Sequence, residues 1–442
     1  MADLYCYSAL MEQPGQSSAR RTADGSRRVR HLLDVARAQF VEGGFDGVSI
    51  DAIARVAGVS KETIYRHFAD KEALFRAALE AAGEAFTAHA LAVHDRSPNV
   101  GVELAGLARA ILDSALDEGM FSALWVAVGL LHRMPDLAAD LRDGQWRRLE
   151  QVREALQHHA RDFGVEGTIE LELALDFGSL AVEGPALLMG FPAPGPDERD
   201  RIAQRVATLF AEGLPGIGCA AALQQTTPPR SQARGALPAH LRTLLDVAAR
   251  HMLFQGYDAA NLDDIGAQAR VGRGTLYRHY GSKAGLFAAA MRAEAQACAQ
   301  VVTVPPLPQG VVDRAALARV LEAALDGLAS SRSIALHRAV ISQSRRDPAL
   351  ARDVFHILRT PWVSELSNWI AGLGVADDPD WYARQLLVLV LRGNRLLAGG
   401  QPVSANDRRR YAARAVTIFL DGFIALVQQA TDDGRGIGDG QA

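Results

Sequence analysis

The sequence predicts an all-α protein made of two tandem modules, and three observations support this fold class. Alanine, leucine and arginine dominate the composition, and these residues have a high helix propensity. Long runs of β-branched residues, which favour strands, are few. The third observation is an internal repeat, because residues 271–283 are similar in sequence to residues 59–71, which lie 212 positions earlier. The 442-residue chain is therefore interpreted as a fusion of two related modules.

The repeat extends well beyond this core. Residues 32–75 align with residues 244–287 without a gap, and 18 of the 44 aligned positions are identical. Five identities carry polar or basic side chains: Thr63, Tyr65, Arg66, His67 and Lys71 match Thr275, Tyr277, Arg278, His279 and Lys283. Chance does not produce such agreement, and the pattern indicates a tandem duplication.

Positive charge is concentrated in the two repeated segments. The whole chain has a formal charge of -4, which argues against a polycation. Residues 17–75 nevertheless carry 10 Arg or Lys against 8 acids, and residues 230–287 carry 8 against 4. The two segments are thus +2 and +4 (10 minus 8 and 8 minus 4), and the acidic excess lies elsewhere.

The cysteine count and the absence of recognisable catalytic motifs narrow the class of protein. Cys6, Cys219 and Cys298 are scattered without CxxC spacing, which predicts a reduced cytoplasmic protein without a structural disulfide or metal site. We find no signal peptide and no apolar stretch of membrane-spanning length, so we expect no membrane association. A Gly-rich phosphate loop, a nucleophile elbow and an HExxH motif are missing, so we expect no cofactor and no enzyme activity.

Composition shifts and helix-breaking residues divide the chain into seven segments. Polar stretches predict a disordered arm, a linker and a tail, whereas apolar periodicity predicts helices in the remaining four segments. The segments are a basic arm (1–26), a first helix-turn-helix domain (27–75), a first helical domain (76–215), a linker (216–238), a second helix-turn-helix domain (239–287), a second helical domain (288–430) and a tail (431–442).

Each repeated segment has the residue pattern of a helix-turn-helix. In the first copy Ser49 is placed to cap one short helix, and Ser60 is placed to cap the next. Gly58 between them suits the left-handed backbone of a tight turn. In the second copy Asn261 replaces Ser49 as the cap. Two short helices around such a turn form a helix-turn-helix.

The second short helix of each copy carries side chains suited to DNA. A helix in the major groove reads base edges with its first turn, while neighbouring groups bind phosphates. Lysine, arginine and threonine suit the base edges, and tyrosine, histidine and lysine suit the phosphates. The predicted DNA-binding set is Ser49, Ser60, Lys61, Thr63, Tyr65, His67 and Lys71, with Asn261, Arg273, Thr275, Tyr277, His279 and Lys283 in the second copy. The alternative is that the tyrosines are core aromatics and the lysines are solvated surface.

These motifs resemble the TetR family of transcriptional regulators. Residues 63–75 and 275–287 both fit the pattern T-[IL]-Y-x-H-[FY]-x-x-K-x-x-L-F. The resemblance implies a three-helix DNA-binding domain followed by a variable helical domain that binds a small molecule and dimerises. By resemblance, the dimerising helices are residues 171–189 with 199–212, and residues 382–397 with 408–427. Most members are homodimers that bind palindromes, so two modules in one chain are a departure.

The second copy departs from the pattern at the turn. Arg270 stands where the first copy has Gly58, and a left-handed backbone costs a residue with a side chain about 1–2 kcal/mol. Gly274 inside the recognition helix costs about 1 kcal/mol relative to alanine. We call each helix-turn-helix domain a head. We therefore expect the second head to bind DNA more weakly than the first or to read a different half-site.

Aromatic residues of the helical domains are candidates for an effector cavity. They are Phe121, Trp125, Trp146, Trp362, Trp369 and Trp381, and the non-aromatic Met134 is a further candidate. The alternative is that these side chains simply pack in the core.

Two classes of function remain open at this stage. The first is a ligand-responsive transcriptional regulator, a repressor, whose partners are a double-stranded DNA operator, an unknown small-molecule effector and itself. Its two halves pack on each other as a pseudo-dimer, or two chains pair. The second is a helical sensor or scaffold with one or both heads inactive on DNA.

Overall fold

The computed structural model describes residues 14–93, 100–117, 120–131, 133–162, 167–214, 238–374, 377–392 and 403–438. Within these ranges the chain forms nineteen helices and no strand, so the predicted all-α class is confirmed. The chain divides into two compact units, Met1–Glu84 and Ala85–Ala442.

Unit 1 is the first helix-turn-helix domain. Its helices are α1 (Pro14–Gly47), α2 (Ile50–Ala57), α3 (Lys61–His67) and the first part of α4 (Lys71–Val93). The rings of Phe40, Phe45 and Phe75 pack together with centroids 5.2–5.7 Å apart. Ile53 and Ile64 are fully buried beside this cluster in the core of the unit. The aromatic cluster and the two isoleucines anchor the short helices α2 and α3.

The N-terminal boundary of the first helix differs from the prediction. The sequence predicts a disordered arm over residues 1–26, but α1 already begins at Pro14. Residues 1–13 lie outside the described ranges. Alanine and arginine between Pro14 and the predicted helix have high helix propensity, and extending an existing helix avoids a second nucleation. α1 is interrupted at Gly44 (φ 71°, ψ 167°).

Unit 2 contains the remaining helices of both halves. Those before the linker are α5 (Val100–Asp117), α6 (Met120–Leu130), α7 (Leu137–Asp162), α8 (Leu171–Val182), α9 (Gly184–Leu188) and α10 (Pro196–Glu212). The second head has α11 (Ala239–Gln255), α12 (Leu262–Ala269) and α13 (Arg273–Tyr280). After it come α14 (Lys283–Val301), α15 (Arg314–Leu328), α16 (Ser331–Gln343), α17 (Pro348–Leu373), α18 (Pro379–Leu391) and α19 (Ala405–Gly438).

The predicted linker lies almost wholly outside the described ranges, whereas most of the predicted tail lies inside them. The linker predicted over 216–238 lies outside the described ranges except for Pro238. The tail predicted over 431–442 overlaps α19, which continues to Gly438. Propagating a helix by a few residues costs far less than starting one, which explains why the polar tail extends α19.

Aspartate–proline pairs set the beginnings of α17 and α18. Asp347 precedes Pro348, and its Oδ1 accepts a hydrogen bond from the backbone N–H of Leu350 at 2.9 Å. Asp378 precedes Pro379 and caps α18 in the same way. An N-cap acid followed by proline at the first helical position is a strong helix start, because proline lacks only an N–H that would have no partner there.

The two halves of unit 2 meet in a bundle of α8, α10, α18 and α19. The backbone N–H of Leu214 donates to the carbonyl of Phe419 at 2.7 Å, so the two halves approach at backbone distance. The rings of Phe210 and Phe423 stack with centroids 4.8 Å apart. We call this contact between the halves the seam.

The seam has an internal symmetry that a shift of 209 positions describes. Gly213 and Gly422 both have positive φ, and a Cβ on either would lie 2.1–2.4 Å from backbone of the other half. Glu183 and Arg392 both end their helices in a left-handed conformation, with φ of 46° and 55°. The duplication therefore extends into the helical domains, in a register three residues away from the 212 of the heads (212 minus 209).

Opposite charges join the two halves across the seam. Arg414 contacts Asp176 at 2.6 Å, and Arg392 contacts Glu172 at 3.2 Å. A third pair runs in the opposite direction, with its base in the first half. Arg205, which matches Arg414 under the shift of 209, contacts Asp378 at 3.0 Å. Arg205 also stacks on Trp381, with its guanidinium carbon 4.0 Å from the ring centroid.

One stretch of α19 has the length and composition of a membrane span. Within the described ranges it is Ala405–Gln428, and half of its most apolar window is buried inside the structure. α19 packs on α10, α15 and α18, and Phe419 and Phe423 are buried there. Its apolar character is therefore accounted for by the bundle.

Candidate nucleic-acid interface

The helix-turn-helix of each head is built from the predicted caps. Ser49 Oγ accepts a hydrogen bond from the backbone N–H of Ala52 at 3.1 Å, and Asn261 Oδ1 accepts one from Asp263 at 2.8 Å. Gly58 is left-handed (φ 66°, ψ 31°), and Arg270 takes the same conformation (φ 54°, ψ 41°). The arginine thus keeps the geometry of the turn at a cost in backbone strain.

The recognition helices α3 and α13 anchor one face and expose the other. Ile64 and Leu276 are fully buried, and both face the core of their own head. Tyr65 and Tyr277 are 48% and 41% exposed, so neither is a core aromatic. The Tyr65 ring is thus accessible, whereas the exposed Tyr277 ring lies 5.8 Å from the guanidinium carbon of Arg273.

The first turn of each recognition helix is formed differently. Ser60 Oγ caps α3 by accepting from the backbone N–H of Thr63 at 3.2 Å. Gly272 occupies the same place before α13 and has no side chain to cap it. Thr63 and Thr275 are both half-buried on this turn.

The cation expected to read bases is held by an acid of the preceding helix in both heads. Lys61 Nζ lies 2.9 Å from Asp51, and Arg273 lies 3.5 Å from Asp263. Asp51 raises the pKa of the Lys61 ammonium by hydrogen bonding and by charge. Both pairs are exposed, so water and salt screen them and they orient the cations without locking them. The sequence prediction missed the two acids, although both obey the 212-residue repeat.

The lysine after each recognition helix packs on an aromatic ring. Lys71 Nζ lies 4.6 Å from the ring centroid of Phe45, and Lys283 Nζ lies 5.1 Å from that of Tyr257. Lys283 also donates to the carbonyl of Asp258 at 2.9 Å. These contacts fix each ammonium close to the exposed face of its head, which the sequence could not specify beyond the shared register.

The two heads differ in charge at the second position of the recognition helix. His67 and His279 are exposed near the C-terminal end in both. In the first head the second position of α3 holds Glu62, whose own backbone N–H and the Ser60 hydroxyl lower the pKa of its carboxyl. The second head has Gly274 there. A carboxylate accepts hydrogen bonds from the amino group of cytosine, and glycine offers no such contact.

The residues predicted for an effector cavity are placed in other surroundings. Trp125, on α6 with Phe121, donates from Nε1 to Ser344 Oγ at 2.9 Å and lies under the Arg345 guanidinium. Trp362 and Trp369 are 2% and 0% exposed in the core around α17.

The side chain of Trp146, on α7, lies outside the described residues. A cavity of about 540 Å³ opens at the seam, but Phe121, Trp125, Trp362 and Trp369 do not line it, whereas Trp381 does. The effector role of the five candidates therefore stays a prediction. In the described ranges no group of three side chains could hold a metal ion.

Fold and site together define an all-α protein that carries two helix-turn-helix domains. The family profile for bacterial regulatory proteins of the tetR family matches residues 32–78 and 244–290. The profile of the AefR-like transcriptional repressor C-terminal domain matches residues 315–423. Both helix-turn-helix domains are thus of the TetR type and stand in tandem, and the second is followed by a C-terminal domain of a TetR-family repressor type.

Several curated relatives match one module or part of one. The chain is 34% identical over 129 residues to the HTH-type transcriptional regulator TcmR of Streptomyces glaucescens, covering 28% of this chain and 54% of that protein. It is 41% identical over 64 residues to the DNA-binding transcriptional repressor TetR of Mycobacteroides abscessus, covering 14% and 34%. With the HTH-type transcriptional regulator SrpR of Pseudomonas putida the identity is 28% over 196 residues, covering 42% and 84%.

The alignments with the first two relatives thus span about half and a third of those proteins. Among solved structures, a TetR-family regulator from Mesorhizobium loti MAFF303099 aligns with a TM-score of 0.37 and 24% identity, covering 42% of this chain and 95% of that one.

Proposed function

We propose that this protein is a sequence-specific DNA-binding transcriptional repressor that binds its operator as an intramolecular pseudo-dimer. The observation that carries the proposal is the exposed set of α3 and α13, in which a cation, a threonine, a tyrosine and a histidine recur in register. In both heads the recognition helix is followed by a lysine whose ammonium group lies over an aromatic ring. The names of the relatives, which are transcriptional regulators and a repressor, support it.

Under this proposal the predicted DNA-binding residues form two groups, one that contacts base edges and one that contacts phosphates. Lys61 and Arg273 contact guanine, with the neighbouring threonines on thymine. Tyrosine, histidine and the following lysine contact phosphates in each head, and the amide of Asn261 and the hydroxyl of Ser49 add donors at helix starts. Since Glu62 and Gly274 differ in charge, the two half-sites differ in sequence. No step of this function is catalytic, and the protein works in the cytoplasm.

The charges at the seam support pairing between unlike halves. Under the shift of 209, Glu183 of the first half is the counterpart of Arg392 in the second half. A hypothetical pair of two first halves would therefore place Glu172 opposite Glu183. A pair of second halves places Arg384 opposite Arg392 in the same way. Like charges at such short distance in a poorly solvated site are destabilising. Only the unlike pair places an acid against a base, as the structure does at 3.2 Å and 3.8 Å.

The proposal is tested by selecting operator sequences from random duplexes with the full chain. We expect one chain per duplex by native mass measurement and a footprint with two unlike half-sites. Arg273→Ala should relax the base preference in one half-site, and Lys61→Ala in the other, each by about tenfold or more. Arg319→Ala, an exposed arginine on α15, is the matched control and should change neither.

The alternative outcomes have distinct meanings. Two chains per duplex with a symmetric footprint would show that halves pair between chains. Absence of any sequence-selective complex would favour the scaffold function and overturn the proposal.

A further inference from the structure

The cavity of about 540 Å³ lies where the two halves of unit 2 meet. Its walls come from α8 to α10 in the first half and from α17 and α18 in the second. Cavities of roughly 300–1,000 Å³ accommodate small organic ligands. A ligand here would touch both modules at once.

Much of the cavity wall is apolar and firmly held. Phe191, on the loop between α9 and α10, packs edge-on against Phe355 with ring centroids 5.0 Å apart. The same loop is tied to the second half by Arg352, whose Nη1 donates to the carbonyl of Gly190 at 2.7 Å. Leu180 and Trp381 extend the wall on the two sides of the seam.

A buried arginine lines this cavity without a hydrogen-bonded carboxylate, although the charge of Glu183 acts on it from beyond salt-bridge distance. Arg359 is 8% exposed, and its one hydrogen bond among the described residues is from Nη1 to His337 Nε2 at 2.8 Å. His337 is neutral, because burial and the neighbouring Arg359 lower its pKa to about 3. A guanidinium has five N–H donors, so most of those of Arg359 have no acceptor from the described protein. A buried cation in this state is stabilised by an anion.

A second polar group beside the arginine also lacks a partner. Gln385 is 1% exposed, and its Oε1 has no hydrogen-bond partner among the described side chains and backbone. The position that matches Gln385 under the shift of 209 is Asp176, whose carboxylate is taken by Arg414. Gln385 lines the cavity, and its open acceptor needs a donor from a ligand.

The charge balance of the cavity indicates the sign of the ligand. Arg359 and Arg384 bring two positive charges, and Glu183 lies 3.8 Å from Arg384. Burial raises the pKa of the Glu183 carboxyl, so it supplies one negative charge at most. The other two acids of the lining, Glu198 and Asp380, are exposed to solvent. Arg384 is 39% exposed and faces Glu183, so Arg359 is the buried cation of the cavity, and no carboxylate hydrogen-bonds to it.

We propose that this cavity binds a small organic acid, as a monoanion with an apolar or aromatic body. The carboxylate binds Arg359, a donor group binds Gln385 Oε1, and the body lies against Phe191 and Phe355. Trp381 is the one described candidate from the sequence that lines this site, which is shared by both modules.

The location gives the ligand a route to the second head, and only this consequence rests on the proposed DNA-binding function. α17 forms a wall of the cavity and packs on α14, which directly follows the recognition helix α13. A ligand that holds α17 against the first half makes some positions of α14 lower in free energy than others. It thereby also favours some positions of the second head. Coupling of this kind requires only that the ligand binds two arrangements unequally.

The test uses the full chain without DNA and measures calorimetric binding of 2-naphthoate and octanoate, each beside its neutral amide. We expect each acid to bind at least tenfold more tightly than its amide. Arg359→Met should remove that preference. Arg345→Met, which removes an exposed arginine stacked on Trp125 outside the cavity, should preserve it. Ala186→Trp fills the cavity and keeps Arg359, so it should abolish binding of both acids even if Arg359→Met does not fold.

Three results would overturn the proposal. They are equal binding of acid and amide, no binding of either acid with a Kd below about 1 mM, and equal loss in the Arg345 and Arg359 variants. Because no DNA is present, inactive heads would leave this test intact. Failure here would in turn leave the footprint experiment unaffected.

Discussion

At the scale of single residues, His337 couples the stability of unit 2 to pH. Its Nδ1 lies 2.7 Å from the carbonyl of Ser333 and therefore carries the proton, so Nε2 accepts from Arg359. Protonating Nε2 would bring two cations together in a buried site. Burial is the main reason that the pKa of His337 falls from 6.5 to about 3.

We expect acid to destabilise the protein through this histidine. The folded-state pKa lies below the unfolded value, so between pH 6.5 and about 3 the unfolded chain binds a proton that the folded chain excludes. The free energy of unfolding should fall by about 1.4 kcal/mol for each pH unit in this window. Urea unfolding at several pH values measures the slope.

The slope can be assigned with two variants. His337→Gln keeps an acceptor for Arg359 but does not titrate, so its slope should be smaller by that amount. His240→Gln, at the exposed start of α11, is the matched control. Equal slopes in all three proteins would show that His337 does not govern the acid sensitivity.

Arg270 stores backbone strain at the turn of the second head. Its left-handed φ of 54° favours glycine, and the first head has glycine at this position. Arg270→Gly should stabilise α12 and α13 by about 1 kcal/mol, seen as slower hydrogen exchange in both helices. Ala267→Gly, in the interior of α12, should instead destabilise them by about 1 kcal/mol. Faster exchange in the Arg270 variant would contradict this account.

At the scale of elements, the close approach of α10 and α19 depends on two glycines. A Cβ on Gly213 would lie 2.4 Å from the carbonyl carbon of Leu420, and φ is 77°. Gly213→Ala should therefore cost about 3 kcal/mol, since overpacking against rigid backbone and left-handed strain add. Equilibrium unfolding monitored by tryptophan fluorescence measures this change.

A third glycine provides the comparison. Gly178 lies on α8, where a Cβ would meet nothing within 4 Å. Gly178→Ala should be neutral or stabilising by up to about 1 kcal/mol, because alanine favours the helix. If the two alanine variants were equally stable, the approach of the helices would not require glycine.

The sequence was informative about elements where a local rule governs the structure. Caps at Ser49 and Asn261, the turn at Gly58 and the exposed face of α3 follow from spacing and residue type. The seam could not be predicted, because its pairs join residues some 220–238 positions apart, such as Arg392 with Glu172 and Arg414 with Asp176. The cavity depends on packing between halves, so among the described candidates from the sequence Trp381 alone lies in its wall.

At the scale of the whole molecule, charge determines which halves pair. Arg392 is 3% exposed and contacts Glu172, so Glu172→Arg would place two cations together. We expect this change to lower the free energy of unfolding by about 3 kcal/mol. Adding Arg392→Glu should restore most of it, since Glu183 shows that glutamate fits the left-handed helix end at the matching position.

The double-mutant cycle distinguishes charge from packing. A coupling energy near zero, with the double variant as unstable as the sum of the single ones, would mean that the pair has no electrostatic part in joining the halves. Native mass measurement of the same proteins shows whether weakened pairing within a chain leads to association between chains.

The backbone contact between Leu214 and Phe419 has a consequence for how the protein responds to its own abundance. Two partners on one chain do not separate on dilution, whereas a regulator assembled from two chains loses its active form with the square of its concentration. Under the proposed function, operator occupancy by the fused chain therefore falls only in proportion to copy number. A cell that holds a few molecules would then retain the same fraction of binding-competent protein as a cell that holds hundreds.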